Sequence, residues 1–260
     1  MNFSTVSYSL DGKVGTVVMN RPERRNALND IMIRELTDAF QALGKNVACR
    51  IVILTGTDKS FCSGMDLDFL HEISAKTQEE NLDDAKTLVK LLTTIYTLKK
   101  PVIAQVNGSA LGGGCGIAAV CDYIFAGLEQ AKFGAPEVCI GFVPAIILPF
   151  LVKRMGEGKA KELVLQGEVI NATKAKERGL ITDVIIDAEL GNYVKAFAEK
   201  VASTTSPNAI ALTKELFSRL NELTFKDSLE FAANVNAMTR KTEDFKKGID
   251  SFLKKEKLEW

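Results

Sequence analysis

Histidine and tryptophan are almost missing from this 260-residue chain, one of each, and neither sign of charge prevails, since 33 Lys and Arg face 33 Asp and Glu. A single histidine, His71, leaves little scope for Ser–His–Asp hydrolysis, which needs an imidazole beside its nucleophile; it sits in a polar stretch and reads as a surface residue. No His/Cys/Asp grouping has the spacing of a metal site, so no metal is expected. The charge balance provides no long-range field to attract nucleic acid or an anionic membrane, so neither is expected as a partner. Long hydrophobic runs are lacking as well: the longest, residues 143–152, is broken by Pro144 and Pro149, well short of the roughly 20 apolar residues of a membrane-spanning helix. The five cysteines are an odd number without a CxxC pair, and no charged-then-apolar leader precedes them, which points to free thiols in a reducing cytoplasm. Among them Cys115 reads as a small packing residue rather than a nucleophile.

What is present is an α/β pattern. Residues 14–19 read as a strand, 31–43 as an amphipathic helix and 51–55 as a buried strand, an order that implies a parallel βαβ unit. Residues 101–105 and 123–126 read as further strands, separated by a glycine-rich turn and a short apolar helix at 117–119. The polar stretch 74–84 reads as a mobile surface segment. Beyond Pro144 helices are expected over 160–165, 173–178, 190–203, 206–220 and 225–240, none with a proline beyond its first turn. Leu212, Leu216, Phe217 and Leu220 recur at helical spacing and call for a cover. The division expected is a core of residues 1–190 holding the active site and a helical region of residues 191–260. Trp260 reads either as a frayed end or as a cap on a neighbouring subunit.

Three stretches bear on chemistry. In residues 107–116, NGSALGGGCG, a strand ends and three consecutive glycines open a helix, which brings backbone N–H groups to a ligand at the positive end of a helix dipole. Glycine spacing alone fits a tight turn equally well, and it matches neither the Walker nor the Rossmann pattern. In residues 60–67, SFCSGMDL, the N–H of Met65 is placed to face that of Gly113, and two donors converging on one oxygen stabilise an enolate or a tetrahedral oxyanion. Asp66 in this stretch suits a helix cap better than a catalytic role. In residues 133–141, FGAPEVCIG, Glu137 follows a proline among apolar neighbours. Desolvation there raises a carboxyl pKa into the range of a proton shuttle, while an exposed helix-start glutamate is the equal alternative.

These stretches resemble the crotonase, or enoyl-CoA hydratase/isomerase, superfamily over essentially the whole chain. The matching motifs are NRPERRNALN at 20–29, FCSGMDL at 61–67, NGSALGGG at 107–114, Cys121-Asp122, FGAPE at 133–137 and TEDFKKG at 242–248. The resemblance implies a crotonase-like spiral of ββα units with a C-terminal helical trimerisation region, assembled as a homotrimer or a dimer of trimers. It implies a thioester oxygen held by the amides of Met65 and Gly113, a proton handled by Glu137, and an acyl group carried by coenzyme A or an acyl-carrier protein. Coenzyme A is then part of the substrate, and no separate cofactor is expected. It also places Ala27, Ser63, Asp66, Leu67, Gly112 and Gly116 along the substrate channel. Phe252 and Lys255 match tail positions that reach coenzyme A, sometimes from a neighbouring subunit.

One departure matters. Two-glutamate hydratases carry a glutamate directly after the Gly-Gly-Gly-Cys element, and here Gly116 stands in its place. The expected activity is addition or removal of water at C2–C3 of a short, branched or carboxylated acyl thioester, as in methylglutaconyl-CoA-type hydratases or the dehydratases of polyketide β-branching. The alternatives are a Δ3-Δ2 enoyl-CoA isomerase using Glu137 alone, a decarboxylase, or an RNA-binding or scaffolding member.

Overall fold

The structure, a computed structural model, describes residues 3–220 and 222–260. The chain opens with β1 (Val6–Asp11) and β2 (Val14–Met19), followed by α1 (Asp30–Lys45), β3 (Ile51–Gly56), β4 (Ser60–Cys62), α2 (Leu67–Ser74) and α3 (Gln78–Tyr96). Next come β5 (Val102–Val106), β6 (Ser109–Leu111), α4 (Gly113–Ala119), β7 (Tyr123–Gly127), β8 (Lys132–Gly134), α5 (Leu148–Leu165), β9 (Val169–Asn171), α6 (Ala172–Glu177) and β10 (Asp183–Ile185). Four helices close the chain: α7 (Leu190–Thr204), α8 (Pro207–Arg219), α9 (Phe225–Thr239) and α10 (Glu243–Lys254).

The strands form two sheets, a six-stranded one in the order β1-β2-β3-β5-β7-β10 and a four-stranded one in the order β4-β6-β8-β9. The β1–β2 hairpin is antiparallel, whereas β2, β3, β5, β7 and β10 run parallel. That agrees with the βαβ reading of residues 14–55. A strand's side chains alternate between faces, and β3 shows the result. Val52 and Leu54 join the main core with Met32, Leu36 and Phe40 of α1 and with Leu91, Leu92 and Ile95 of α3. Ile51 and Ile53 face a second core with Leu190, Val194 and Ala198 of α7. Burial on both faces is why these strands read as unbroken apolar runs.

Although it falls in the expected helical region of residues 191–260, α7 packs Val194 and Ala198 onto one face of the large sheet. One expectation needs correction. Residues 74–84 are not a loose surface segment: α3 begins at Gln78 behind a reciprocal Thr77–Glu80 capping box, two orphan backbone donors being satisfied at once. Its C-terminal half then anchors it in the core through Leu88, Leu91, Leu92 and Ile95. Trp260 is held within its own chain, its N–H donating to the Ser203 carbonyl at 3.0 Å and Lys247 lying over its ring. Among the described residues no helix is long and apolar enough to cross a membrane.

Candidate active site

The small sheet positions the site. Strands β4, β6 and β8 are parallel neighbours, so their C-terminal ends emerge on the same side, the place where open α/β sheets bind ligands. The end of β4 delivers Ser63–Met65, the end of β6 delivers Gly112 and Gly113, and the end of β8 delivers Ala135 to Glu137. One topological fact therefore assembles three stretches that are up to 74 residues apart along the chain.

Main-chain geometry decides what each turn presents. Leu28 forms a lone parallel bridge with Met65: the Leu28 N–H donates to the Gly64 carbonyl and the Asp66 N–H to the Leu28 carbonyl, both at 2.8 Å. Such a bridge uses the peptide groups flanking Met65 and turns its own N–H the other way. Gly64 has φ +98°, and a Cβ there would lie 3.0 Å from the Leu111 carbonyl oxygen, so only glycine lets the two loops touch. Gly113 is the first residue of α4, where a helical N–H has no acceptor within its helix. Among the described residues neither the Met65 nor the Gly113 N–H donates a hydrogen bond within the chain. A Cβ on Gly113 would sit 4.0 Å from the Met65 sulfur, which measures how closely the loops approach.

Glu137 lies in a single 3₁₀ turn, Pro136–Ile140, closed by Gly141 at φ +73°. Its carboxylate reaches back over the glycine run, so that a Cβ on Gly112 (φ +50°) would come within 2.8 Å of Oε1. Oε2 is buried and has no hydrogen-bond partner among the described residues. Burial raises the Glu137 pKa above its ordinary value, offset in part by a hydrogen bond from its own backbone. Met65, Gly113 and Glu137 line one cavity of about 730 Å³, walled mainly by side chains such as Leu70, Leu88, Phe142 and Ile147. The geometry is thus a largely apolar chamber in which two unengaged amide donors share the wall with the protonatable Glu137 carboxyl, suited to a carbonyl that gains negative charge as a proton moves nearby.

A family model described as enoyl-CoA hydratase/isomerase matches residues 10–260. The chain belongs to the enoyl-CoA hydratase/isomerase family. A protein of Thermus thermophilus named putative enoyl-CoA hydratase is 39% identical over 244 residues, covering 94% of this chain and 96% of that one. A probable enoyl-CoA hydratase of Rhizobium meliloti is 34% identical over 265 residues, covering 100% of this chain and 99% of the relative. The crystal structure of an enoyl-CoA hydratase from Shewanella pealeana superposes with a TM-score of 0.93 at 29% identity, covering 99% and 96% of the two chains.

Against that enoyl-CoA hydratase/isomerase frame, the remaining expected residues divide. Leu67 is exposed and lines the cavity as well as a smaller recess of about 220 Å³, where Ser63 and Gly112 also lie. Ala27 is buried, its carbonyl accepting from Arg21 Nη1 at 2.6 Å. Asp66 is the N-cap of α2: one oxygen accepts the Asp68 N–H, the other pairs with Arg21 at 3.0 Å. Both oxygens are spent on holding the loop, and Asp66 does not line the cavity. Gly116 is buried in α4, and a Cβ there would meet Ile147 Cγ2 at 2.1 Å, so the glycine is required by packing. Phe252 and Lys255, on α10 and at its C-cap, line neither the cavity nor the recess of their own chain. The sequence reading missed Ile147, which only the folded chain brings against Gly116. It also set aside His71, which is exposed yet lines the cavity. Of the five thiols, Cys62, Cys115 and Cys121 are buried and pushed up to about 12, and only Cys139, beside the recess, is exposed.

Proposed function

We propose that the chain adds water to, or removes it from, the C2–C3 bond of an acyl thioester carried by coenzyme A, with Glu137 as the proton-handling carboxylate. The observation that carries this reading is the Glu137 carboxyl against Gly112, in one chamber with the Met65 and Gly113 amides. In the hydration direction the Glu137 carboxylate takes a proton from water as its oxygen bonds to C3. The C2–C3 electron pair moves into an enolate whose oxygen the two N–H groups hold, and Glu137 returns the proton to C2. Two donors fixed in advance in a water-poor site cost no reorganisation as the charge develops. The relatives named enoyl-CoA hydratases agree with this chemistry.

A second reading, Δ3-Δ2 isomerisation, is favoured by Ile147 filling the space over Gly116, because moving a proton between C2 and C4 along one face of a dienolate needs a single base. Mass spectrometry separates the two. Incubation of but-2-enoyl- and hex-3-enoyl-CoA in H₂¹⁸O gives a product heavier by one labelled water if hydration occurs; a product of unchanged mass, carrying deuterium when D₂O is used, means isomerisation. Neither product from any enoyl-CoA overturns both.

A homotrimer or dimer of trimers forms part of the proposal. Its support is the apolar surface of the terminal helices, where Phe217 is 64% and Phe225 and Phe252 are each 81% exposed, a quantity of uncovered aromatic surface that marks an interface.

A further inference from the structure

The cavity has polar lining residues that the chemistry above leaves unused. Four polar side chains besides Glu137 reach its wall: His71 and Ser74 of α2, and Asn81 and Asp84 of α3. The Ser74 hydroxyl is engaged, donating to the His71 carbonyl at 2.7 Å. Asn81 and Asp84 each keep acceptor oxygens without a partner among the described residues. They stand three residues apart and so share one face of α3, the face that also presents Ala85 and Leu88 to the cavity. Asn81 donates through Nδ2 to the Lys76 carbonyl at 3.3 Å, while its Oδ1 is shielded and has no partner among the described residues. Among the described residues no hydrogen bond acts on the Asp84 carboxyl; burial raises its pKa, tempered by the charge of Lys76 and reinforced by that of Asp30.

Helix formation does not account for this pair. The N-terminus of α3 is served by Thr77 and Glu80, with Glu79 beside them, and the dipole's pull on acids fades within the first turn, whereas Asp84 is the seventh residue. A shielded carbonyl and a half-buried carboxylate without donors each cost free energy, so both are matched by a ligand that donates. We propose that Asn81 and Asp84 select the acyl group by accepting hydrogen bonds from a hydroxyl or ammonium carried at its far end, and that Asp84 repels an acyl group ending in a carboxylate. This replaces the expectation of a carboxylated substrate, and it rests on the acyl-thioester reading above. A cavity of about 730 Å³ lies well within the usual size of small-molecule sites.

The test measures binding, so it is independent of which reaction the enzyme performs. Saturated acyl-CoAs of four, six and eight carbons, each ending in methyl, hydroxyl, amino or carboxyl, are titrated calorimetrically against the full chain. At one length the hydroxyl or amino form binds about tenfold tighter than the methyl form, the usual worth of one charge-assisted hydrogen bond, and the carboxyl form binds more weakly. Asp84→Asn, which keeps an acceptor and the side-chain shape, retains the preference for hydroxyl and loses that for ammonium; Asp84→Leu combined with Asn81→Leu loses both. Equal binding of all four endings at every length, or a preference that survives Asp84→Leu combined with Asn81→Leu, overturns the inference while leaving the thioester reading intact. Absence of binding by any acyl-CoA overturns the thioester reading together with it.

Discussion

Glu137 is a group that folding tolerates rather than favours. Because its pKa is raised in the folded protein, the native state holds the proton more tightly than the unfolded chain. Its contribution to stability is complete below the ordinary value of 4.5 and is lost as pH climbs through the folded value. Replacing it with the neutral isostere, Glu137→Gln, therefore raises the melting temperature at pH 8 and changes it less at pH 4. The same change lowers kcat by about 10²–10⁴-fold, the range for general acid–base catalysis, with acyl-CoA affinity retained. In the unaltered enzyme kcat/KM falls on the acid side at a pH above 4.5, since the protonated form cannot accept a proton from water. A melting temperature unchanged at both pH values, or a kcat near normal, contradicts this account. Gly116 supplies the second residue-scale expectation. A Cβ 2.1 Å from Ile147 Cγ2 is overpacking, so Gly116→Ala destabilises by about 1–3 kcal/mol in urea unfolding. Combined with Ile147→Ala it costs less than the two single losses added together. Gly116→Glu, which sequence comparison offers as a way to gain hydratase activity, meets the same wall and gives a destabilised protein with no faster hydration.

At the scale of elements, the oxyanion-binding loop depends on a buried polar residue that does not line the cavity. Asn26 is fully buried at φ +54°, a conformation asparagine tolerates better than most. Its Nδ2 donates to the Thr57 and Ser60 carbonyls at 3.1 and 2.8 Å, and its Oδ1 accepts from the Arg21 N–H at 2.9 Å and from the Thr57 hydroxyl at 3.2 Å. These bonds tie the loop carrying Leu28 to β4, and Leu28 in turn bridges Met65. Asn26→Ala strands several buried partners and lowers stability by on the order of 3 kcal/mol; kcat falls more than KM rises, because the Met65 amide loses its aim. A loss confined to stability, with kcat intact, refutes that link. Legibility in the sequence follows the same division. The strands at 14–19 and 51–55 and the helix between them were readable because period and burial coincide along a short stretch. The three site motifs were readable because each is one strand end with its turn. Short β4, β6, β8 and β9 were not, since three residues carry no periodicity. Ile147 over Gly116 joins positions 31 apart, and α3's start at Gln78 is hidden behind a polar composition that its capping box makes helical.

For the whole molecule the question is what covers the last three helices. The bond from Arg50 to the Thr205 carbonyl at 3.0 Å and the ion pair of Lys214 with Asp122 fasten the start of this region to the core, while Phe217, Phe225 and Phe252 remain outside. Sedimentation velocity is expected to give a trimer or a dimer of trimers. Phe217→Glu with Phe225→Glu shifts the population toward monomer and makes the melting temperature depend on protein concentration. A monomeric unaltered chain at micromolar concentration removes the proposed assembly. Helical periodicity showed that α8 needed a partner, but periodicity cannot say whether that partner is the same chain or another copy.

The thiols lend themselves to a practical use. Four of the five are enclosed and three of those resist ionisation until strongly alkaline pH, whereas Cys139 stands open two positions from Glu137, at the rim of the recess. A maleimide fluorophore offered to the native protein near neutral pH therefore attaches at one address. From there its emission reports when the chamber fills, giving an optical readout of occupancy that needs no engineered cysteine and no turnover.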